Sequence, residues 1–262
     1  MSRLAVVTGS SGGIGAAVAT TLEAEGYDVI GVDLADADIT ADLSTPAGRQ
    51  ALVDAVGERT NHLDVVVANA GVMAPGALCV RVNYFGAVAT LEGLRPLLAK
   101  GESPRAIATV SSSILNVQIA NVVEACLAGD ETLALERMAA TAETGLDMAG
   151  YPTSKFALAR WIRRNAASEA WAGAGIALNG VAPGIVTTNM TAEMLAGGDS
   201  KDLADASVPM PFGGYCHPQH VADVIAFFAS PRPTRICGQV LFVDGGADVV
   251  LRGDDIWPTA AL

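Results

Sequence analysis

The stretch TGSSGGIG, residues 8–15, follows a short apolar run at 4–7 and leads into Ile14, Val18 and Leu22, which recur four residues apart. The run reads as a strand and the spacing as one buried face of a helix, so the glycines occupy a strand-to-helix turn. Glycine has no Cβ, so the chain can turn tightly at Gly9, Gly13 and Gly15 and approach a ligand closely. The first amides of the helix then lie free, and such an N-terminus attracts phosphate. Strand, glycines and helix in this order form a dinucleotide fingerprint, with Gly9, Ser11, Gly12, Gly13 and Ile14 as candidate contacts.

Working outward, further apolar runs at 28–32, 63–68, 107–110, 176–181 and 240–243 read as strands, each near Gly, Asn or Ser. Helical stretches fall at about 47–58, 83–99, 152–172 and 219–229. Alternation of strand and helix implies a parallel sheet covered on both faces. Short right-handed crossovers leave an α/β, doubly wound parallel sheet of Rossmann type, with ligands at the carboxyl ends of its strands. The chain has 262 residues, 51% of them apolar, and no linker or repeat divides it, so a single domain over 1–262 is expected.

The formal charge of −12 repels phosphate backbones and anionic lipid, so nucleic acid and membrane surfaces are not expected partners; small uncharged molecules remain. With no leader pattern and no apolar run of about 18 residues, the expected location is cytoplasmic. Cys79, Cys126, Cys216 and Cys237 are widely spaced, so reduced thiols are expected. Cys216, His217 and His220 surround Pro218, which reads as the start of a helix rather than a metal site, and no metal is expected.

Asp33 ends the second strand about 20 residues beyond the glycines, where a carboxylate can accept both hydroxyls of an adenosine ribose. It repels a 2′-phosphate; Asp36 and Asp38 add to that field, and neither 10–12 nor 34–38 carries a Lys or Arg. NAD(H) is therefore the expected cofactor. Tyr151 and Lys155 lie four apart at the start of a helix, on one face, with Pro152 tolerated in the first turn. For Tyr151 to work near pH 7 its phenol must fall by roughly three units, about 4 kcal/mol. One ammonium near 4 Å supplies about 4 kcal/mol at an effective dielectric of 20. Ser111, Ser112 and Ser113 bring hydroxyls to the carboxyl edge of the sheet, although serine there is also plain turn chemistry. Asn83 follows the turn at 69–71 and reads equally as a helix cap.

Together these residues resemble the short-chain dehydrogenase/reductase family over nearly the whole chain. NAG at 69–71, VNYFG at 82–86, VSSS at 110–113, YPTSK at 151–155, PGIVTT at 183–188 and FVDGG at 242–246 stand in the family's order. The resemblance implies a tetrad of Asn83, Ser112, Tyr151 and Lys155. Tyr151 exchanges a proton with the substrate oxygen, Ser112 holds that oxygen, Lys155 binds ribose hydroxyls and lowers the tyrosine pKa, and Asn83 supports a proton path. It also implies coenzyme contacts at Asn69, Gly71, Tyr151 and Lys155, adenine contacts at Asp42 and Leu43, and nicotinamide contacts at Gly184, Val186 and Thr188.

The chain departs from the usual family pattern in three ways. The segments 33–42 and 71–83 are short, while an acidic, helical insertion at about 116–147 separates Ser112 from Tyr151, with Asp130 as a helix cap. With ADLST at 41–45, these departures resemble the bacterial 3α-hydroxysteroid dehydrogenase/carbonyl reductase group. That likeness implies a steroid or other bulky alcohol or ketone as substrate. Family likeness also implies a homodimer or homotetramer, with contacts that the insertion could alter. The stretch at about 189–214, with Gly197, Gly198, Met190, Met194 and Met210, reads as an apolar lid over the substrate. Two other readings stand beside this one: a dehydrogenase for another secondary alcohol, such as a terpenoid or an aromatic degradation intermediate, and a nicotinamide-binding regulator without chemistry.

Overall fold

In the strands β1 (Arg3–Thr8), β2 (Tyr27–Asp33) and β4 (Val65–Ala68), nearly every residue is apolar, as expected where a sheet is covered on both faces. The computed structural model describes residues 2–232, 235–254 and 256. With β3 (Ile39–Thr40), β5 (Arg105–Thr109), β6 (Ala177–Pro183) and β7 (Val240–Val243), these strands form one parallel sheet in the order β3-β2-β1-β4-β5-β6-β7. Side chains alternate between two cores. Ala5, Val7, Val65 and Val67 face α1 (Gly13–Ala24) and α10 (Pro218–Ala229), while Val6, Val66, Ala106 and Ala108 face the other layer. That second layer holds α2 (Pro46–Arg59), α4 (Ala87–Leu98) and α7 (Gly150–Asn165).

Most elements lie within a few residues of the sequence expectation, and the differences have local causes. No helix fits between Asp33 and Ile39; bends lead straight into the two-residue β3. Likewise, α3 (Ala77–Cys79) is one short turn, followed by a π-helical stretch over Val80–Gly86 before α4. The helix expected to reach residue 172 stops at Asn165, and a separate π-helical turn covers Glu169–Gly173. Pro218 opens α10 and His217 caps it, its ring accepting from the Gln219 amide at 3.3 Å while its own amide donates to His220 Nδ1 at 3.2 Å. All four cysteines are unpaired.

The insertion folds as α5 (Ala120–Ala128) and α6 (Glu131–Ala139), which pack on each other, with α5 also against α7. Gly129 takes a left-handed conformation between them. The stretch at 189–214 is more regular than an open loop: it holds α8 (Ala192–Leu195) and α9 (Asp199–Ser207), before α11 (Ala247–Arg252) closes the order. Among the described residues no helix is long and apolar enough to cross a membrane.

Asp130 caps α6 by accepting from the Leu133 amide at 2.9 Å. Asp130→Ala should therefore lower stability by about 1 kcal/mol in urea titration, with coenzyme-independent spectra unchanged.

Candidate active site

The sheet's order reverses between β1 and β4, and a cavity of about 340 Å³ opens at the carboxyl ends of the strands there. Its floor is the glycine turn. Gly9 and Gly13 take positive φ values of 70° and 52°, and a Cβ on Gly15 would stand 1.9 Å from the Gly9 carbonyl, so no side chain fits. Gly12 opens α1 with no side-chain cap, which leaves the first amides of the helix to a ligand. Asp33 lines the same cavity and accepts from the Ser11 amide at 2.9 Å and the Leu34 amide at 2.7 Å. The Ser11 hydroxyl turns outward to the carbonyls of Ala35 and Asp36, so Ser11 shapes the turn rather than lining the cavity.

Farther along, Asn69 ties three strands together at the cavity edge. Its side-chain NH₂ donates to the Thr8 carbonyl at 3.1 Å, and its oxygen accepts from the Thr109 hydroxyl at 3.0 Å. Gly71 is pressed close to Asn83 and Lys155; a Cβ there would lie 3.1 Å from Asn83 Oδ1 and 3.4 Å from Lys155 Nζ. Asn83 itself is fully buried and does not line the cavity. Its oxygen accepts from the Val72 amide at 2.8 Å, and its NH₂ donates to the Val72 carbonyl at 3.0 Å and to Ser154 Oγ at 3.2 Å. It holds the 71–74 segment in place, a positioning job that the helix-cap reading does not describe.

Tyr151 and Lys155 project into the cavity from the first turns of α7. Lys155 is 3% exposed and donates to the Thr109 carbonyl at 2.7 Å; burial pushes its pKa down to about 8. Burial likewise pushes the Tyr151 phenol above its ordinary value, while a hydrogen bond with Ser111 pulls against it. In the ligand-free site both groups are thus shifted toward their neutral forms, opposite to the shift that Tyr151 needs to work near pH 7. The ammonium is engaged by a carbonyl, and desolvation outweighs attraction for both groups.

The serine register differs too. Ser111, not Ser112, lines the cavity and faces Tyr151. Thr109 and Ser111 lie two apart in extended chain and share one face, so both reach the cavity. Ser112 begins a 3₁₀ turn over Ser112–Leu115 and is buried in the wall, 1% exposed. The alternation at the end of β5 was the one signal that could have chosen between them.

At the other rim, Gly184, Val186 and Thr188 line the cavity, as do Asn189, Met190 and Thr191 at the start of the stretch that the sequence marked as a lid. The Thr191 hydroxyl donates to the Val186 carbonyl at 2.6 Å and accepts from the Thr188 amide at 3.1 Å, so it shapes this rim. Met210 covers Gly184, its sulfur accepting from the Ile185 amide at 3.2 Å. Asp42 and Leu43 close the opposite end, beyond Asp33. Thus Gly9, Gly12, Gly13, Ile14, Asp33, Asp42, Leu43, Asn69, Gly71, Tyr151, Lys155, Gly184, Val186 and Thr188 converge, while Ser11, Asn83 and Ser112 stand behind them. An elongated cavity with a glycine floor, free helix amides and an acidic end fits a dinucleotide.

Comparison with known proteins agrees with this geometry. Residues 3–124 match the family described as short chain dehydrogenase, and residues 138–248 match the one described as Enoyl-(Acyl carrier protein) reductase. The 3-alpha-hydroxysteroid dehydrogenase/carbonyl reductase of Comamonas testosteroni is 36% identical over 253 residues, covering 94% of this chain and 97% of the relative. The chain belongs to the short-chain dehydrogenase/reductase family, and is an oxidoreductase acting on CH–OH groups.

Among solved structures, the 3-alpha-hydroxysteroid dehydrogenase from Pseudomonas sp. B-0831 complexed with NADH is 41% identical. It superposes with a TM-score of 0.89 over 96% of this chain and 99% of that one. A short chain dehydrogenase from Burkholderia cenocepacia J2315 in complex with NADP is 27% identical, with a TM-score of 0.73 over 94% and 98%. Structural neighbours thus bind one or the other nicotinamide coenzyme.

A lysine whose folded pKa lies below its unfolded value of about 10.5 weakens the fold while both states are protonated, and that cost is relieved as pH rises from about 8 toward 10.5. Ligand-free wild type should gain about 3 kcal/mol over Lys155→Met across that window, read by denaturation at each pH. A constant difference between the two would contradict the burial of a charged Lys155.

Proposed function

We propose that the chain is an NAD(H)-dependent enzyme interconverting a secondary alcohol and a ketone, with a 3α-hydroxysteroid or similarly bulky carbonyl compound as substrate and Tyr151 as general acid/base. The observation that carries this reading is the convergence of Tyr151, Ser111 and Lys155 at one end of a cavity whose other end presents Asp33. The Comamonas and Pseudomonas relatives, named for 3-alpha-hydroxysteroid, support the substrate class.

A nicotinamide coenzyme bound in the cavity supplies or accepts the hydride. Lys155, Thr188 and the 12–14 amides would hold it, with Asp33 at the adenosine ribose. Ser111 donates its hydroxyl to the substrate oxygen and orients it. Tyr151, protonated at neutral pH because burial raises its pKa, gives that oxygen a proton during reduction. In the oxidative direction the phenol must first release its proton to solvent, so that the phenolate can take the alcohol's proton, a loss that Lys155 would favour if its ammonium turned from the Thr109 carbonyl. The segment at 189–214 serves as a lid, with Met190 on the cavity wall and Met210 beneath it. The single-domain organisation over 1–262, with an insertion at about 116–147, belongs to the same reading.

Asp33 argues for NAD(H). Among the described residues that line the cavity, Lys155 is the sole cation, so no lining residue beside Asp33 offers a positive charge to a 2′-phosphate. Assembly as a homodimer or homotetramer is supported by apolar side chains exposed on α10 and on β7, the last strand of the sheet, Phe227 and Leu241 being 43% and 45% exposed. Four unpaired cysteines support a cytoplasmic location.

Tyr151→Phe should abolish turnover of 3α-hydroxysteroids while leaving NADH binding intact, and retained turnover would refute the role given to Tyr151. Ser111→Ala should lower kcat by roughly 10²–10³-fold, against little change for Ser112→Ala; steady-state kinetics on both variants decides between the two serines. Asp33→Ala should weaken NADH binding by roughly tenfold or more and narrow the preference over NADPH, as read by fluorescence titration. Wild type that already prefers NADPH would contradict the electrostatic argument.

A further inference from the structure

Arg49 lies on α2, outside the cavity lining, yet it is buried and its guanidinium is engaged on several sides. Nε donates to the Leu43 carbonyl at 2.7 Å, and Nη2 donates to the Arg81 carbonyl at 3.0 Å and the Ser44 carbonyl at 3.4 Å. Nη1 and Nη2 also form a fork on Glu131, at 2.7 Å and 2.9 Å to its two carboxylate oxygens. The Phe85 ring centroid lies 5.8 Å from the guanidinium carbon. Glu131 is the first residue of α6 and so belongs to the insertion.

What Arg49 holds is the wall at 43–44, which otherwise rests on a turn in which Asp42 accepts from the Ser44 amide at 2.9 Å. The strand before it, β3, pairs with β2 through two residues, and no helix precedes it. The close packing is visible at Gly86, where a Cβ would come within 3.1 Å of Leu43 Cβ and 3.2 Å of its carbonyl. A planar guanidinium fork fixes several acceptors at once, which a lysine cannot do. Leaving the buried guanidinium without its partner is costly, so the partly buried Glu131 and Arg49 hold each other in place.

We propose that Arg49 is a positioning residue for the adenine end of the coenzyme cavity, and that the helical insertion, through Glu131, takes part in coenzyme binding. This rests on the dinucleotide reading of the cavity given above. Arg49 acts through Leu43 and touches no reacting atom. Adenine-side affinity and the order of the insertion's first turn are then linked, each strengthening the other.

The test compares two ligands by calorimetric titration: ADP-ribose, which carries the adenine half, and reduced nicotinamide mononucleotide, which carries the other. Arg49→Lys should weaken ADP-ribose about tenfold, and Glu131→Gln about threefold or more, with the mononucleotide held within about twofold in both. Unchanged ADP-ribose binding in both folded variants overturns the proposal, as does equal loss for both ligands, which would mean general loosening. In the wild-type protein, ADP-ribose should slow hydrogen exchange at the amides of 131–135, which lie outside the cavity; no slowing there overturns it without any variant. Wild type that binds neither ligand would instead bring down the dinucleotide reading itself.

Discussion

The cavity exists because the chain leaves β1 and β4 in opposite directions, so that the sheet's carboxyl edge parts between them. Parallel strands need covering helices, and at this one place the helices diverge and leave a cleft. The cleft's floor then has to be bare backbone. Gly15 sits so near the Gly9 carbonyl that even a methyl group would force the turn apart, and the free amides of α1 would no longer face the opening. Asn69 closes the arrangement by bonding to β1 on one side and to Thr109 of β5 on the other, so three strands share one edge geometry. Tyr151, Lys155 and Ser111 line the cavity that opens at this edge.

Charge and burial oppose each other within this edge. Lys155 is the cavity's only cation among the described residues, and it pays for that position by losing water. A carbonyl at 2.7 Å compensates in part. The phenol of Tyr151 suffers the same desolvation, and without a ligand it remains a weak acid with Ser111 as its partner. In the ligand-free site, burial therefore favours the neutral form of both groups. A fixed spacing of four residues along a helix puts two groups on one face; it does not decide which neighbour each one chooses.

Much of this was legible in the sequence. Periodicity placed the strands other than β3, and most of the main helices, to within a few residues because their apolar patterns are strong, though α7 ends seven residues short of its expected bound. The glycine turn with Asp33 located the cavity. Asp130 was readable as a cap because capping is local chemistry. Long-range matters were not readable. Ser111 and Ser112 differ only in which way an extended strand end faces, and that depends on where β5 stops. Asn83 turned out to brace the 71–74 segment through partners that sequence spacing cannot name. The bond between Arg49 and Glu131 joins residues 82 positions apart, so no local pattern announces it.

The way Asp33 meets Ser11 has a consequence for anyone retooling this protein. The carboxylate that, on the proposed NAD(H) reading, would discriminate against an extra phosphate is also the anchor of the glycine turn, since it accepts the Ser11 amide directly. On that reading, selectivity would rest on the same two oxygens that hold the Ser11 and Leu34 amides. Exchanging the aspartate for a neutral or basic residue removes a repulsion and a strut together, and a successful redesign has to provide a fresh acceptor for that amide as well as a new cation.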